Sequence, residues 1–157
     1  MAVAAPPPTA FDHHLVAALA SVRSDGRPHV VHLWFVWDGT AFVMYSKPHA
    51  VKVQNLRRDP NAMLALGEPG RLDGSAALVE VRAEIDQAVG LLTAFADKYA
   101  ELMARLGLSR DTFASVYSQP IRLIPIRWLV WGGSGWTWEG APRGEDAPGQ
   151  RVGASEP

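Results

Sequence analysis

The sequence predicts an α+β domain, a mainly antiparallel sheet of six or so strands with two to four helices packed on it. Three observations predict this. An Asp38-Gly39 pair sits between two β-rich runs, Val30 to Trp37 and Ala41 to Tyr45, which is a strong local hairpin signal. A second apolar, tryptophan-rich pair of runs, Pro120 to Trp131 and Trp136 to Trp138, flanks the turn Gly132 to Gly135. Between the two hairpins, Leu92, Phe95, Ala96, Tyr99, Leu102, Met103 and Leu106 recur at helical spacing.

Taken in order, residues 1–10 (MAVAAPPPTA) read as a disordered tail, with neither the basic start nor the long apolar run of a secretory signal. Phe11 to Ala20 is expected to be a short helix, with Asp12 in its first turn and Leu15, Val16 and Leu19 as its apolar stripe. Ser21 to Arg23 is a strand that turns at Ser24-Asp25-Gly26 and enters the main strand after Pro28. In the main strand Val31, Leu33 and Phe35 share one face, and Val30, His32, Trp34 and Val36 share the other. Neither face is polar, so both need a cover: the core on one side, and a helix, a second subunit or a flat ligand on the other. Lys47-Pro48 opens a helix of about ten residues, with Ser46 placed to cap it. Asn61 to Leu66 is a strand, Gly67 to Gly74 a loop, and Ser75 to Ile85 a long strand. Asp86 caps the long helix and Gly107 ends it. Asp97, Lys98, Glu101 and Arg105 read as its solvated face. Ser109 caps a second helix over about residues 110–117. Pro125, inside the last long strand, argues for an edge or a bulge. Gly140 to Pro157 reads as a second disordered tail, leaving one domain over residues 11–139.

Bulk properties narrow the function. A chain of 157 residues with 48% hydrophobic content builds one real core. A net charge of −1 attracts neither nucleic acid nor an anionic membrane over the whole surface. No cysteine means no disulfide, no thiolate nucleophile and no sulfur-ligated metal. No apolar run has the length to cross a bilayer, so a cytoplasmic protein is expected. His29 and His32, three apart on a strand, lie on opposite faces, and His13 and His14 point apart, so no metal site is expected. No dinucleotide fingerprint, Walker loop or nucleophile elbow is present.

One stretch carries chemistry. Tyr45 to Arg58 holds Lys47, Lys52, Arg57 and Arg58 and no acid. Unpaired N–H groups at a helix start, with a lysine one turn in, suit a phosphate; a solvated basic helix is the alternative. All six tryptophans (Trp34, Trp37, Trp128, Trp131, Trp136 and Trp138) fall in the two hairpins, which fits an aromatic wall for a flat ligand and fits equally a Trp-rich core and dimer interface.

Ser24-Asp25-Gly26-Arg27-Pro28, Leu33-Trp34-Phe35-Val36-Trp37-Asp38-Gly39, Tyr45-Ser46-Lys47-Pro48, Lys52 and Asn55-Leu56-Arg57-Arg58-Asp59-Pro60 together resemble the flavin-binding split β-barrel superfamily of the pyridoxamine-phosphate oxidase type. Within it they resemble the branch of coenzyme F-420-dependent oxidoreductases, over about residues 11–131. The resemblance implies a six-stranded antiparallel split β-barrel of the FMN-binding type, working as a homodimer with the cofactor at the subunit interface. It implies hydride transfer between a deazaflavin and a small conjugated substrate. Lys52 matches the phosphate-binding lysine, and Tyr45 and Ser46 match the aromatic–hydroxyl pair before it. His32, Leu33 and Trp34 would lie along the ring, and Arg127 and Trp131 on the last strand would complete the site from the partner. The chain also departs from the pattern. Val51 stands where oxidase members carry an arginine, the ring strand has His32 and aliphatics where they carry a basic residue, and Ala50 stands where several F-420-type relatives carry an arginine. These losses speak against pyridoxamine-phosphate oxidase activity. Lys47 or His49 is placed to compensate, and Arg57 and Arg58 to meet an anionic polyglutamate tail. Two rivals are an FMN-dependent oxidase or reductase on the same fold, and a non-enzymatic flavin- or tetrapyrrole-binding protein.

Overall fold

The computed structural model describes residues 11–67, 76–85, 90–132 and 135–138, with the backbone alone at 76–77, 129–132 and 135–138. Both expected tails, nearly all of the Gly67 to Gly74 loop, the Asp86 cap and the centre of the Gly132 to Gly135 turn lie outside the described residues.

Among the described residues eight strands form one antiparallel sheet: β1 (Ala17–Val22), β2 (Pro28–Leu33), β3 (Phe35–Trp37), β4 (Phe42–Ser46), β5 (Asn61–Leu66), β6 (Ala76–Glu84), β7 (Gln119–Gly132) and β8 (Gly135–Trp138). The helices among the described residues are α1 (Val51–Arg58), α2 (Thr93–Lys98), α3 (Ala100–Arg105) and α4 (Arg110–Val116). The strand order is β2-β1-β5-β6-β7-β4-β3, with β8 paired to β7. The two ends of that order, β2 and β3, are joined through the single residue Trp34. The sheet must therefore curl until its edges meet, which makes it a split barrel. Seven strands lie on the path where six were expected, because the main strand breaks at Trp34 into two.

Residues 11–20 do not form the expected helix. Ala17–Val22 is a strand that pairs with β2 on one side and β5 on the other. Its alanines favour a helix in isolation, but ladders on both sides override a propensity worth a few tenths of a kcal/mol per residue. Of the expected apolar stripe, Leu15 and Val16 are exposed and Leu19 is buried.

Local chemistry explains the turns and caps. In the β3–β4 connection Gly39 takes φ +94°, a conformation that disfavours any side chain. One Asp38 carboxylate oxygen accepts the N–H of Thr40 (2.8 Å), the Thr40 hydroxyl (2.8 Å) and the N–H of Ala41 (2.7 Å), while the other accepts Arg122 of β7 (2.8 Å). Burial pushes the Asp38 carboxyl up, but these bonds outweigh it and hold the group down at about 2. Ser109 accepts the Thr112 N–H and caps α4 as expected. Gly107, at φ +70°, ends α3 in a Schellman motif, with Leu108 N–H bonded to Met103 O (2.9 Å) and Gly107 N–H to Ala104 O (3.0 Å). Pro125 marks a bulge: Glu80 faces Arg127 and Val81 faces Pro125, leaving Ile126 as the extra residue.

The helix expected from Asp86 to Leu106 is shorter and interrupted. It begins at Thr93 and breaks at Tyr99 (φ −106°, ψ 9°) into α2 and α3. Helix α1 begins at Val51 with Ala50 as its uncapped N-cap, so neither Pro48 nor Ser46 plays its expected role. Ser46 is instead the last residue of β4, fully buried, and its Oγ donates to Lys47 O.

Two apolar clusters hold the fold. Inside the barrel Leu19, Phe35, Phe42, Met44, Leu56, Leu64, Ile121 and Leu123 pack together, closed at one end by Phe11, Trp37 and Trp128. Outside it, Val36, Val43 and Tyr45 pack under Phe95, Tyr99, Met103 and Phe113 of α2, α3 and α4. The helical aromatic and methionine residues thus take the core role their spacing suggested.

Candidate functional site

The site begins where strand pairing stops. β3 pairs with β4 from Trp37–Phe42 to Phe35–Met44, and β4 then runs on through Tyr45 and Ser46. β2 turns away at Trp34 and pairs only with β1 among the described residues. The edges of β2 and of the end of β4 therefore diverge, with Trp34 at the fork. Helix α1 follows β4 directly and packs on β1 at the other end of this split.

Beside the fork lies a cleft of about 190 Å³. Its sheet side is His32, Leu33, Trp34 and Tyr45, four of the nine residues the sequence selected; its helix side is Phe95, Leu106, Leu108, Phe113 and Tyr117. The Trp34 ring is parallel to those of Tyr99 (ring centroids 4.7 Å apart, 4° between planes) and Phe113 (5.9 Å, 6°). Leu106, 64% exposed, stands at the surface of this side. The helical residues were missed as site residues because their spacing reads as core. The available signal was Leu108 and Tyr117, which continue the apolar run past the stop at Gly107.

The polar groups of the cleft differ in availability. His32 is exposed on the outer face of β2. The Tyr45 hydroxyl donates to Gly90 O (3.0 Å) and accepts the Leu92 N–H (2.9 Å), so it anchors the start of α2; burial pushes its pKa up. Tyr99 is fully buried. Its hydroxyl accepts the Phe35 N–H (2.9 Å) and has Phe35 O (2.8 Å) and Leu15 O (2.7 Å) as acceptors. Lys98, expected on a solvated face, is half-buried. Its Nζ donates to Phe35 O (3.0 Å) and Phe11 O (3.3 Å) and lies 4.4 Å from the centre of the Phe35 ring. Burial brings its pKa down to about 8. The other expected solvated pair, Glu101 and Arg105, forms at 2.5 Å on the surface.

Around α1 the sequence-selected cations divide. Lys52 is half-buried near the start of the helix, has no ion pair among the described residues, and burial lowers its pKa. Lys47 is exposed in the turn ahead of it. Arg57 donates to Gln119 (2.9 Å) and Arg58 to Val22 O, so both are engaged within the chain.

Arg127 is not brought to the cleft. It lies exposed on β7, opposite Glu80 of β6, and the two form an ion pair at 2.5 Å. The backbone of Trp131 pairs with Ala76 and Trp136, and its side chain lies outside the described residues. Of the proposed aromatic wall, Trp37 and Trp128 are in the barrel core, 5.8 Å apart edge to face, and Trp34, of the three tryptophans whose side chains are described, lines the cleft. No group of three or more His, Asp or Glu side chains gathers among the described residues, and no described helix is long and apolar enough to cross a membrane.

A curled antiparallel sheet with a split between two strand edges, flanked by a basic helix, defines a split-barrel domain. The chain belongs to the pyridoxamine 5'-phosphate oxidase family, whose sequence model matches residues 9–123. No curated protein matches its sequence. Among solved structures, it is similar to a conserved hypothetical protein from Mycobacterium tuberculosis (TM-score 0.60, 22% identity, 78% of this chain and 80% of that one). It is also similar to an F-420 reductase (0.53, 23%, 78% and 97%) and to the haem storage protein of Vibrio cholerae (0.56, 19%, 78% and 92%). At these identities the likeness is one of fold.

Proposed function

We propose that this chain is a coenzyme F-420-dependent oxidoreductase that transfers a hydride between the reduced deazaflavin and a small conjugated substrate, and that it works as a homodimer. The observation that carries the reading is the split itself, with a lysine that has no ion pair among the described residues at one end and an aromatic cleft at the other. The cofactor would supply the hydride; the chain binds, orients and excludes water. Lys52, held half out of water without an ion pair, is placed to take the cofactor phosphate, and Lys47 adds positive charge ahead of it. His32, Leu33 and Trp34 would border the ring. The cleft is smaller than the roughly 300–1,000 Å³ that encloses a drug-sized ligand, so it suits a small substrate while the cofactor lies along the open split. The Tyr45 ring lines the cleft while its hydroxyl anchors the start of α2, and Ser46, buried with its hydroxyl engaged within the chain, supports the site from below. A second copy would cover the outer face of β2, where Val30 is 58% exposed, and Arg127 and Trp131 would then act across the interface.

Titration of cofactor-free protein with F-420, and separately with FMN, followed by fluorescence, tests the assignment. Micromolar F-420 binding with much weaker FMN binding supports it. Tighter FMN binding favours the flavin enzyme. Binding of neither, with haem taken up, favours a sequestering protein, for which His32 is the exposed imidazole at the cleft.

A further inference from the structure

His29 lies beside the start of α1 and takes no part in the cleft. It sits on the inward face of β2, half-buried, opposite Ser21 of β1. The Ser21 hydroxyl accepts a bond from Asn55 of α1 (3.0 Å), which fixes the helix against this corner, and Lys52 lies three residues before Asn55 on the same side of the helix. The imidazole makes no hydrogen bond to any described residue, and its Nδ1 is shielded from water. Two cations act on it, Arg23 from the β1–β2 turn and Lys52 from α1. Among the described residues no carboxylate forms an ion pair with Arg23 or Lys52, and Asp25 pairs with Arg27. An imidazole beside two positive charges, with no acceptor for its protons, is an arrangement that an oxyanion would complete.

We propose that His29, Arg23 and Lys52 form an oxyanion site in which His29 is a proton-linked ligand, taking up a proton as a phosphate or phosphodiester group binds. The inference rests on the assignment of Lys52 to a phosphate and adds to it a residue and a pH dependence. Burial, Arg23 and Lys52 all lower the His29 pKa in the free protein, so the ring is neutral at neutral pH. An anion beside it favours the charged form, and by linkage acid then favours the anion.

Sulfate is the probe, because its charge is constant across the range in which histidine titrates. Binding to the full chain is measured by calorimetry between about pH 5.5 and 8, around the ordinary histidine pKa of about 6.5. The His29 ring is followed by NMR and identified by its loss in His29→Gln. The expected results are sulfate binding several-fold tighter at the acid end, an upward shift of the His29 titration at saturating sulfate, and binding by His29→Gln that no longer varies with pH. Lys52→Ala should weaken binding at every pH. An unmoved His29 titration in the wild-type chain, an unchanged pH dependence in His29→Gln, or no sulfate binding at all would overturn the proposal. F-420 in the same titration separates the two sources of the anion. F-420 binding that depends on Lys52 but not on His29 leaves the cofactor assignment standing without this inference, and proton-linked sulfate binding without F-420 binding does the reverse.

Discussion

The two halves of the segment from Pro28 to Trp37 are alike in sequence and opposite in surroundings. Both are apolar on two faces. In β3 all three residues are buried, Phe35 and Trp37 in the barrel and Val36 beneath α2 to α4. In β2 exposure alternates, with Pro28, Val30 and His32 exposed and His29, Val31 and Leu33 turned inward. The change falls at Trp34, whose ring is stacked against the helices while its backbone ends one strand and precedes the next. An apolar strand face states that a cover exists; whether the chain supplies it depends on where a distant helix lands. The helices reach β3, and the outer face of β2 stays exposed.

The covered half should be the costly one to disturb. Phe95→Ala removes a fully buried ring from between Tyr45, Tyr99 and Phe113 and should cost about 3–5 kcal/mol in denaturant unfolding. A cost below about 1 kcal/mol would mean that the helices do not hold β3. Tyr99→Phe keeps the ring but leaves the buried Phe35 N–H without its acceptor, for about 1–3 kcal/mol. Asp38 staples the turn of the same half to β7. Its folded pKa lies below the unfolded value, so its contribution is complete above 3.8 and disappears as pH falls toward about 2. Asp38→Asn should therefore be less stable than wild type at neutral pH by about 1–3 kcal/mol, with the difference vanishing in acid. Equal acid sensitivity of the two would exclude this origin.

The open half should respond in function rather than in fold. Lys52→Ala should weaken F-420 binding by about 1–3 kcal/mol and leave the melting temperature nearly unchanged. Unaltered affinity would remove the phosphate assignment. Val30→Lys should change monomer stability by less than about 0.5 kcal/mol, yet shift sedimentation from dimer to monomer. A large loss of folding stability would show that β2 is covered within the chain after all.

Features set by neighbouring residues were legible in the sequence. The Asp38-Gly39 turn, the Ser109 cap, the Gly107 stop and the Pro125 bulge each depend on one backbone conformation or one side-chain bond a few residues away. The errors share the opposite origin. Ala17–Val22 looks helical until two ladders claim it, and Lys98 looks solvated until β3 and the segment at Phe11 pack beside it. Ser46 looks like a cap until β4 runs on through it. The site divides in the same way. His32, Leu33, Trp34 and Tyr45 adjoin one another along one hairpin, and they line one cleft. Arg127, remote in sequence and expected to act from a partner subunit, pairs with Glu80 within its own chain.

The sequence alone determined the alternation of hairpins and helices, the family, and the basic helix after the first hairpin, because hydrophobic period, turn chemistry and motif spacing are local quantities. Only the tertiary structure decided that the main strand breaks at Trp34, that the two ends of the sheet meet there, and that α2 to α4 cover one half of that strand and not the other. Those outcomes depend on contacts between residues some sixty positions apart, such as Tyr99 with Phe35, and the order in which strands pair fixes them.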